Sequence, residues 1–144
     1  MKFRKMMGVT AAFLCAALAL SGCGSTDETA YRIGIVQQDE HSSLDAATQG
    51  FEDKLMELLG EENVTFDYQN AQGEQANSTT IATKFVSDGY DLILANGTTA
   101  LQSAAAATAD IPIVGTSVTD YIAAGAVNSN EKPGTNVTGV SDLG

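Results

Sequence analysis

The chain has 144 residues, with 7 Lys and Arg against 18 Asp and Glu, a formal net charge of −11. Three of the cations, Lys2, Arg4 and Lys5, stand at the very start, so the rest carries 4 bases and 18 acids, a net of −14. That balance excludes a nucleic-acid surface, which needs clustered Lys and Arg, and a domain held peripherally on anionic lipid. Its direct consequence is solubility.

The start of the chain reads as an export signal. After the positive n-region, Met6 to Leu20 carries no charge. Such a run fits a signal-peptide h-region and falls short of the ~20 apolar residues that a membrane-spanning helix needs. It ends in Leu20-Ser21-Gly22-Cys23, which resembles a lipobox: residues 1–22 are removed and Cys23 is lipidated as the mature N-terminus. The other cysteine, Cys15, lies inside the signal, so the mature chain is left without a free thiol, disulfide or cysteine metal site. Residues 23–30 are small and polar and read as a flexible tether. A single lipid chain anchors only marginally, so stable attachment needs a second.

From residue 31 onward, short apolar runs alternate with helical patterns. Tyr31 to Gln37 is a first strand. Residues 42 to 59 form a first helix, with Leu44, Ala47, Phe51, Leu55, Leu58 and Leu59 on one face. Ser42 and Asp45 resemble a capping box at its start, and Gly60 gives a left-handed stop. Val64 to Tyr68 is a second strand whose alternation suits an edge, and residues 75 to 88 form a second helix with Ile81 and Phe85 inward and Gly89 as its stop. Leu92 to Ala95 is a third strand, apolar on both faces as a buried parallel strand is. Thr99 to Ala109 is an alanine-rich third helix, Ile111 to Gly115 a fourth strand, residues 120 to 126 a short helical turn, and Asn136 to Val140 a fifth strand.

Strands alternating with helices predict an α/β fold: a doubly wound parallel sheet of order 2-1-3-4-5 with right-handed crossovers. In such sheets ligands bind beyond the carboxyl ends of the strands. Three polar loops then converge on one edge. They are Gln37 to His41 after the first strand, Asn96 to Thr99 after the third, and Thr116 to Asp120 after the fourth.

No phosphate loop, dinucleotide turn, zinc-protease motif, C-x-x-C or nucleophile elbow occurs. His41 is the single histidine, so no histidine metal cluster forms within the chain. The expectation is no metal, no cofactor and no catalytic residues, with polar side chains left at the strand ends. Asn96-Gly97-Thr98-Thr99 stands before a helix, where backbone N–H groups and hydroxyls either seat a carboxylate or leave Thr98 or Thr99 as a helix cap. Asp120 either takes an ammonium group or caps the turn that follows, and His41 either lines the cleft or sits on the exposed start of the first helix.

Several segments together resemble the substrate-binding lipoproteins of ABC transporters, with the type I periplasmic-binding fold, in the branch of tryptophan and other aromatic amino acid receptors. They are Ile33 to Gln37, Glu40-His41, Leu44 to Ala47, Asp67 to Gly73, Lys84 to Val86, Asp110 to Val114, and Lys132 to Gly134 followed by Asn136 to Asp142. Ser42-Ser43 and Tyr121 depart from the pattern, which often has proline near those places. The resemblance implies that residues 31–144 form the N-terminal lobe of a two-lobed clamshell, with the second lobe absent from this chain. It implies a receptor, lipid-anchored on the extracytoplasmic face, that passes an amino acid-like zwitterion, aromatic ones included, to a permease and an ATPase. The expected ligand-binding residues are Gln38, Glu40, His41, Asn96, Thr98, Thr99, Thr116, Ser117 and Asp120. Other readings are a ligand-sensing module of the same fold for a signalling receptor and, from the enzyme class, a surface hydrolase.

Overall fold

The computed structural model describes residues 30–142. The signal, Cys23 and nearly all of the tether lie outside the described residues. Five strands and three helices alternate: β1 (Tyr31–Gln37), α1 (Ser42–Leu59), β2 (Val64–Asn70), α2 (Gln75–Ser87), β3 (Leu92–Asn96), α3 (Thr98–Ala107), β4 (Ile113–Val118) and β5 (Val137–Ser141). The strands form one sheet of order β2-β1-β3-β4-β5, and every neighbouring pair is parallel. This is the predicted doubly wound topology, with β2 on an edge.

The pleat sorts side chains to two cores. Ile33, Ile35, Val64 and Leu94 meet Phe51, Leu55 and Met56 of α1 on one face. Val36, Ile93, Ala95 and Ile113 meet Ala82, Phe85, Ala100, Leu101 and Ala104 of α2 and α3 on the other. The alanines let α2 and α3 lie close to the sheet and to each other. Strand alternation turns position 34 of β1 to this second core, and glycine stands there because the Phe85 ring fills the space of a side chain: a Cβ would stand 2.6 Å from two ring carbons.

Several boundaries differ from the sequence reading. The α1 stripe is narrower than its spacing suggests, since Leu58 is 65% exposed. Ser42 and Asp45 form no capping box. His41 is the N-cap, accepting through its side chain from the Ser43 N–H, and Asp45 is drawn instead to Gln37. Gly60 has φ 92° and ψ 137°, so it ends α1 in an extended glycine conformation rather than a left-handed helical one. Ile81 is only half-buried. Strand β4 begins two residues later than expected and runs to Val118, which places Thr116 and Ser117 inside it. Residues 121–125 form consecutive turns, and the Ala124 N–H donates to the Asp120 carbonyl at 3.0 Å, the bond of the single helical turn expected there.

A polar cluster ties the amino-terminal part of β1 to β2 and α2. The Arg32 guanidinium lies 4.3 Å from the centroid of the Tyr90 ring and donates to the Asp88 carbonyl at 2.8 Å. The Tyr90 hydroxyl donates to Asp67 Oδ2 at 2.7 Å, and Lys84 stands 2.9 Å from Asp88 and 3.5 Å from Asp67. The Tyr90 hydroxyl, then the Gln69 amide, hold the Asp67 carboxyl below the usual range; burial opposes them and Lys84 adds attraction.

Gly34→Ala forces a methyl against the Phe85 ring and lowers stability by about 1–3 kcal/mol. Urea denaturation measures it, and an unshifted midpoint contradicts the packing argument. Because the folded pKa of Asp67 is depressed, its contribution is present above the unfolded carboxylate value, about 3.9, and is lost as pH falls through the folded one. Asp67→Asn is therefore less stable at pH 7 and loses less stability between about pH 4 and pH 2. Parallel pH profiles for the two proteins would remove that role from Asp67.

Candidate functional site

The register aligns Asn70, Gln37, Asn96 and Thr116 in one row across the carboxyl edge of β2, β1, β3 and β4. The three loops singled out by sequence therefore leave the sheet side by side. Beneath them lies a buried polar network. Gln37 and Asn96 are both 0% exposed. Gln37 Nε2 donates to the Asp39 carbonyl at 2.9 Å and to Asp45 Oδ1 at 2.7 Å, and Thr48 Oγ1 donates to Gln37 Oε1 at 2.8 Å. Asn96 Nδ2 donates to the Leu44 carbonyl at 2.7 Å, to Thr48 Oγ1 at 2.9 Å and, more weakly, to Gln37 Oε1 at 3.3 Å. Asn96 Oδ1 is buried without a protein partner. The network fastens the start of α1 to the ends of β1 and β3 and so fixes the loop between them.

Gln38 is the next residue out, half-buried. Its N–H donates to the Asn96 carbonyl at 2.9 Å, and its own carbonyl accepts from the Gly73 N–H at 2.8 Å. Its side-chain Oε1 accepts from the Thr99 N–H at 2.9 Å. One donor of the α3 N-terminus is thus already satisfied from a distant loop. The N-cap of α3 is Gly97, with φ 108°, so neither Thr98 nor Thr99 is the capping residue. Gly97 is required twice over: by its positive φ, and because a Cβ there would stand 2.7 Å from Gln38 Cβ. Thr98 is exposed and Thr99 half-buried at this end of the helix.

The other expected residues divide between the edge and the scaffold. Asn96 is turned inward, and its amide belongs to the buried network. His41 is exposed, its Nδ1 2.7 Å from Ser43 Oγ and its place the start of α1. Glu40 is exposed beside it, with its N–H donating to Asp39 Oδ1 at 2.8 Å. Thr116 and Ser117 are half-buried within β4, and the Thr116 carbonyl accepts from the Gly97 N–H at 3.0 Å. Ser117 has φ 55° and marks a bulge where pairing with β5 steps from Gly115↔Gly139 to Val118↔Ser141. Asp120 is exposed, and its Oδ1 accepts from the Ile122 and Ala123 N–H groups at 2.9 Å each.

The turn carrying Asp120 is held by a residue the sequence reading did not select. The Tyr121 ring lies over the paired Gly115 and Gly139, where a Cβ on either would collide with it. Its hydroxyl donates to the Val140 carbonyl at 3.0 Å, and burial pushes its pKa up. The sequence reading put Gln37 at this edge without a positioning role, and it missed Thr48 and Tyr121. A signal existed for Thr48, a hydroxyl next to the apolar stripe of α1. A groove of about 310 Å³ opens beside the network, lined by Gln37, Asp45, Thr48, Gln49, Glu52 and Tyr68. Burial, with the nearby Asp53 charge, raises the Glu52 pKa there. Among the described residues, no helix is long and apolar enough to cross a membrane.

Residues 32–144 match the family described as ABC transporter substrate binding protein. A tyrosine-binding protein of Clostridioides difficile is 41% identical over 157 aligned positions that cover 98% of this chain and 45% of the relative. Two solved structures superpose with a TM-score of 0.75. One is a ligand-free, open substrate-binding protein with adhesive properties from Clostridium difficile, 48% identical over 78% of this chain and 39% of its own. The other is an ABC domain from Streptococcus pneumoniae in complex with L-Trp, 38% identical over 79% of this chain and 39% of its own. The chain thus spans less than half the length of these relatives. Its parallel sheet is that of the periplasmic-binding proteins, and with a match that runs from Arg32 to Gly144 the chain belongs to the ABC transporter substrate-binding protein family.

Proposed function

We propose that the chain forms one lobe of an extracytoplasmic receptor that binds an amino acid with an aromatic side chain and passes it to an ABC importer. The observation that carries this reading is the meeting of three loops on one edge with donors and acceptors segregated. Gln38, Thr98 and Thr99 offer neutral donors at the positive end of α3, and Asp120 offers a carboxylate after β4. A zwitterion matches that division, with its carboxylate toward Thr98 and Thr99 and its ammonium toward Asp120. Glu40, His41, Thr116 and Ser117 border the same edge. The relatives' names support the aromatic assignment, one being tyrosine-binding and another solved with L-Trp. They are more than twice as long, which suits a cleft whose second wall comes from another lobe. A permease and an ATPase are the partners this role requires. Residues 1–22 act as the signal, Cys23 carries the lipid, and residues 23–30 tether the lobe to the extracytoplasmic face.

Isothermal titration of the full-length protein with L-tyrosine, L-tryptophan and L-aspartate tests the reading. The aromatic amino acids bind and aspartate does not; absence of binding by both aromatic ligands overturns it. Asp120→Asn keeps an oxygen to cap the turn but removes the charge, and it weakens aromatic amino acid binding by about 1.5–3 kcal/mol. An unchanged affinity removes Asp120 from the site. For the anchor, Cys23→Ala moves the protein from the membrane to the soluble fraction of expressing cells, and persistent membrane association contradicts lipidation at Cys23.

A further inference from the structure

A primary amide has an accepting end and a donating end, and a neighbouring backbone group can dictate which way it faces. At Gln38 the dictating group is the Thr99 N–H, which can only donate. It binds Oε1 at 2.9 Å and thereby turns Nε2 away from the helix. The backbone on which this side chain sits is held on both sides, by the Asn96 carbonyl and the Gly73 N–H, and its Cβ rests on Gly97. The amide therefore has one orientation. Gln38 is half-buried, and with Oε1 on the Thr99 N–H its Nε2 is the end of the amide directed away from α3.

The charges around this edge make such a donor consequential. Asp39, Glu40 and Asp120 are all exposed there. The described residues contain four cations. Arg32 and Lys84 are engaged in the cluster around Tyr90, Lys54 pairs with Glu57 on α1, and Lys132 lies in the loop before β5. On this lobe, an anionic group arriving at the edge meets neutral N–H groups rather than Lys or Arg.

We propose that Gln38 recognises the ligand's carboxylate together with Thr98 and Thr99, donating from an Nε2 whose direction is fixed by the Thr99 N–H. This rests on the receptor reading above and assigns one side chain its role. Gln38 serves as cap and ligand donor at once: Oε1 closes the α3 N-terminus, and Nε2 faces the ligand.

The substitution Gln38→Glu separates the two roles. The glutamate keeps an oxygen for the Thr99 N–H, and a negative charge at a helix N-terminus is favourable, so the thermal midpoint stays the same or rises. It loses the donor and opposes a carboxylate. In the full-length protein, affinity for L-tyrosine and L-tryptophan falls by about tenfold or more, while affinity for their C-terminal amides stays within about twofold. Gln38→Ala lowers both the thermal midpoint and the affinity for the free acids. Equal binding of the free acids by Gln38→Glu and the native protein overturns the assignment, as does an equal loss for acids and amides, which marks a purely structural role. Failure of the native protein to bind either amino acid or its amide overturns the receptor reading itself, and this assignment with it.

Discussion

A carboxamide taken out of water without a partner costs roughly 1–3 kcal/mol, and the two central strands β1 and β3 each end on one that is wholly buried. Gln37 and Asn96 stand opposite one another in the parallel register, so each lies within reach of the other and of the helix crossing above them. Their needs can be met only if α1 presents particular groups at that place: the Leu44 carbonyl, Asp45 and the hydroxyl of Thr48. Thr48 accepts from Asn96 and donates to Gln37, which closes the chain of donors and acceptors. Asn96 Oδ1 is its one uncompensated atom. Because the network also takes the Asp39 carbonyl, the loop leaving β1 has a fixed path, and Gln38 has a fixed starting point.

The far side of the edge depends on packing rather than on polar pairing. Gly115 and Gly139 leave a flat place on two paired strands, and the Tyr121 ring occupies it, 5% exposed. That contact and the hydroxyl bond to Val140 hold the turn on which Asp120 sits. The bulge at Ser117 adds one residue to β4 and twists its end. The two walls of the edge thus have different physical supports: buried amides under the β1 and β3 loops, an aromatic ring under the β4 turn.

Topology was legible because the pattern of buried strands and amphipathic helices is carried by many residues at once. The apolar runs at Ile33 to Val36 and Leu92 to Ala95 admit little but central parallel strands, and the order follows from right-handed crossovers. The end of β4 was hidden because Gly115-Thr116-Ser117 reads as a hydroxyl-rich loop, and a serine with positive φ has no sequence signature. His41 as an N-cap lies outside the residues that usually take that place. The cap on α3 was beyond any local reading, since Gln38 and Thr99 are 61 residues apart and meet only once the sheet has formed. Thr98 and Thr99 held the usual capping chemistry, and a tertiary contact supplied the acceptor instead.

The distribution of charge connects the scaffold to the kind of molecule the edge can hold. Arg32 and Lys84 spend their charge locking β1 to α2 at the Tyr90 cluster, away from the carboxyl ends of the strands. The exposed groups left at the edge are acids and neutral donors. A ligand with net negative charge meets repulsion from Asp39, Glu40 and Asp120 that no nearby Arg or Lys of these elements offsets. A bare cation finds carboxylates but leaves the α3 N-terminus, with its partial positive charge, facing nothing of opposite sign. The zwitterion proposed as ligand carries both signs a few bonds apart and would satisfy the two sides together. The placement of the cations away from this edge supports that proposal as much as the groups on the edge do.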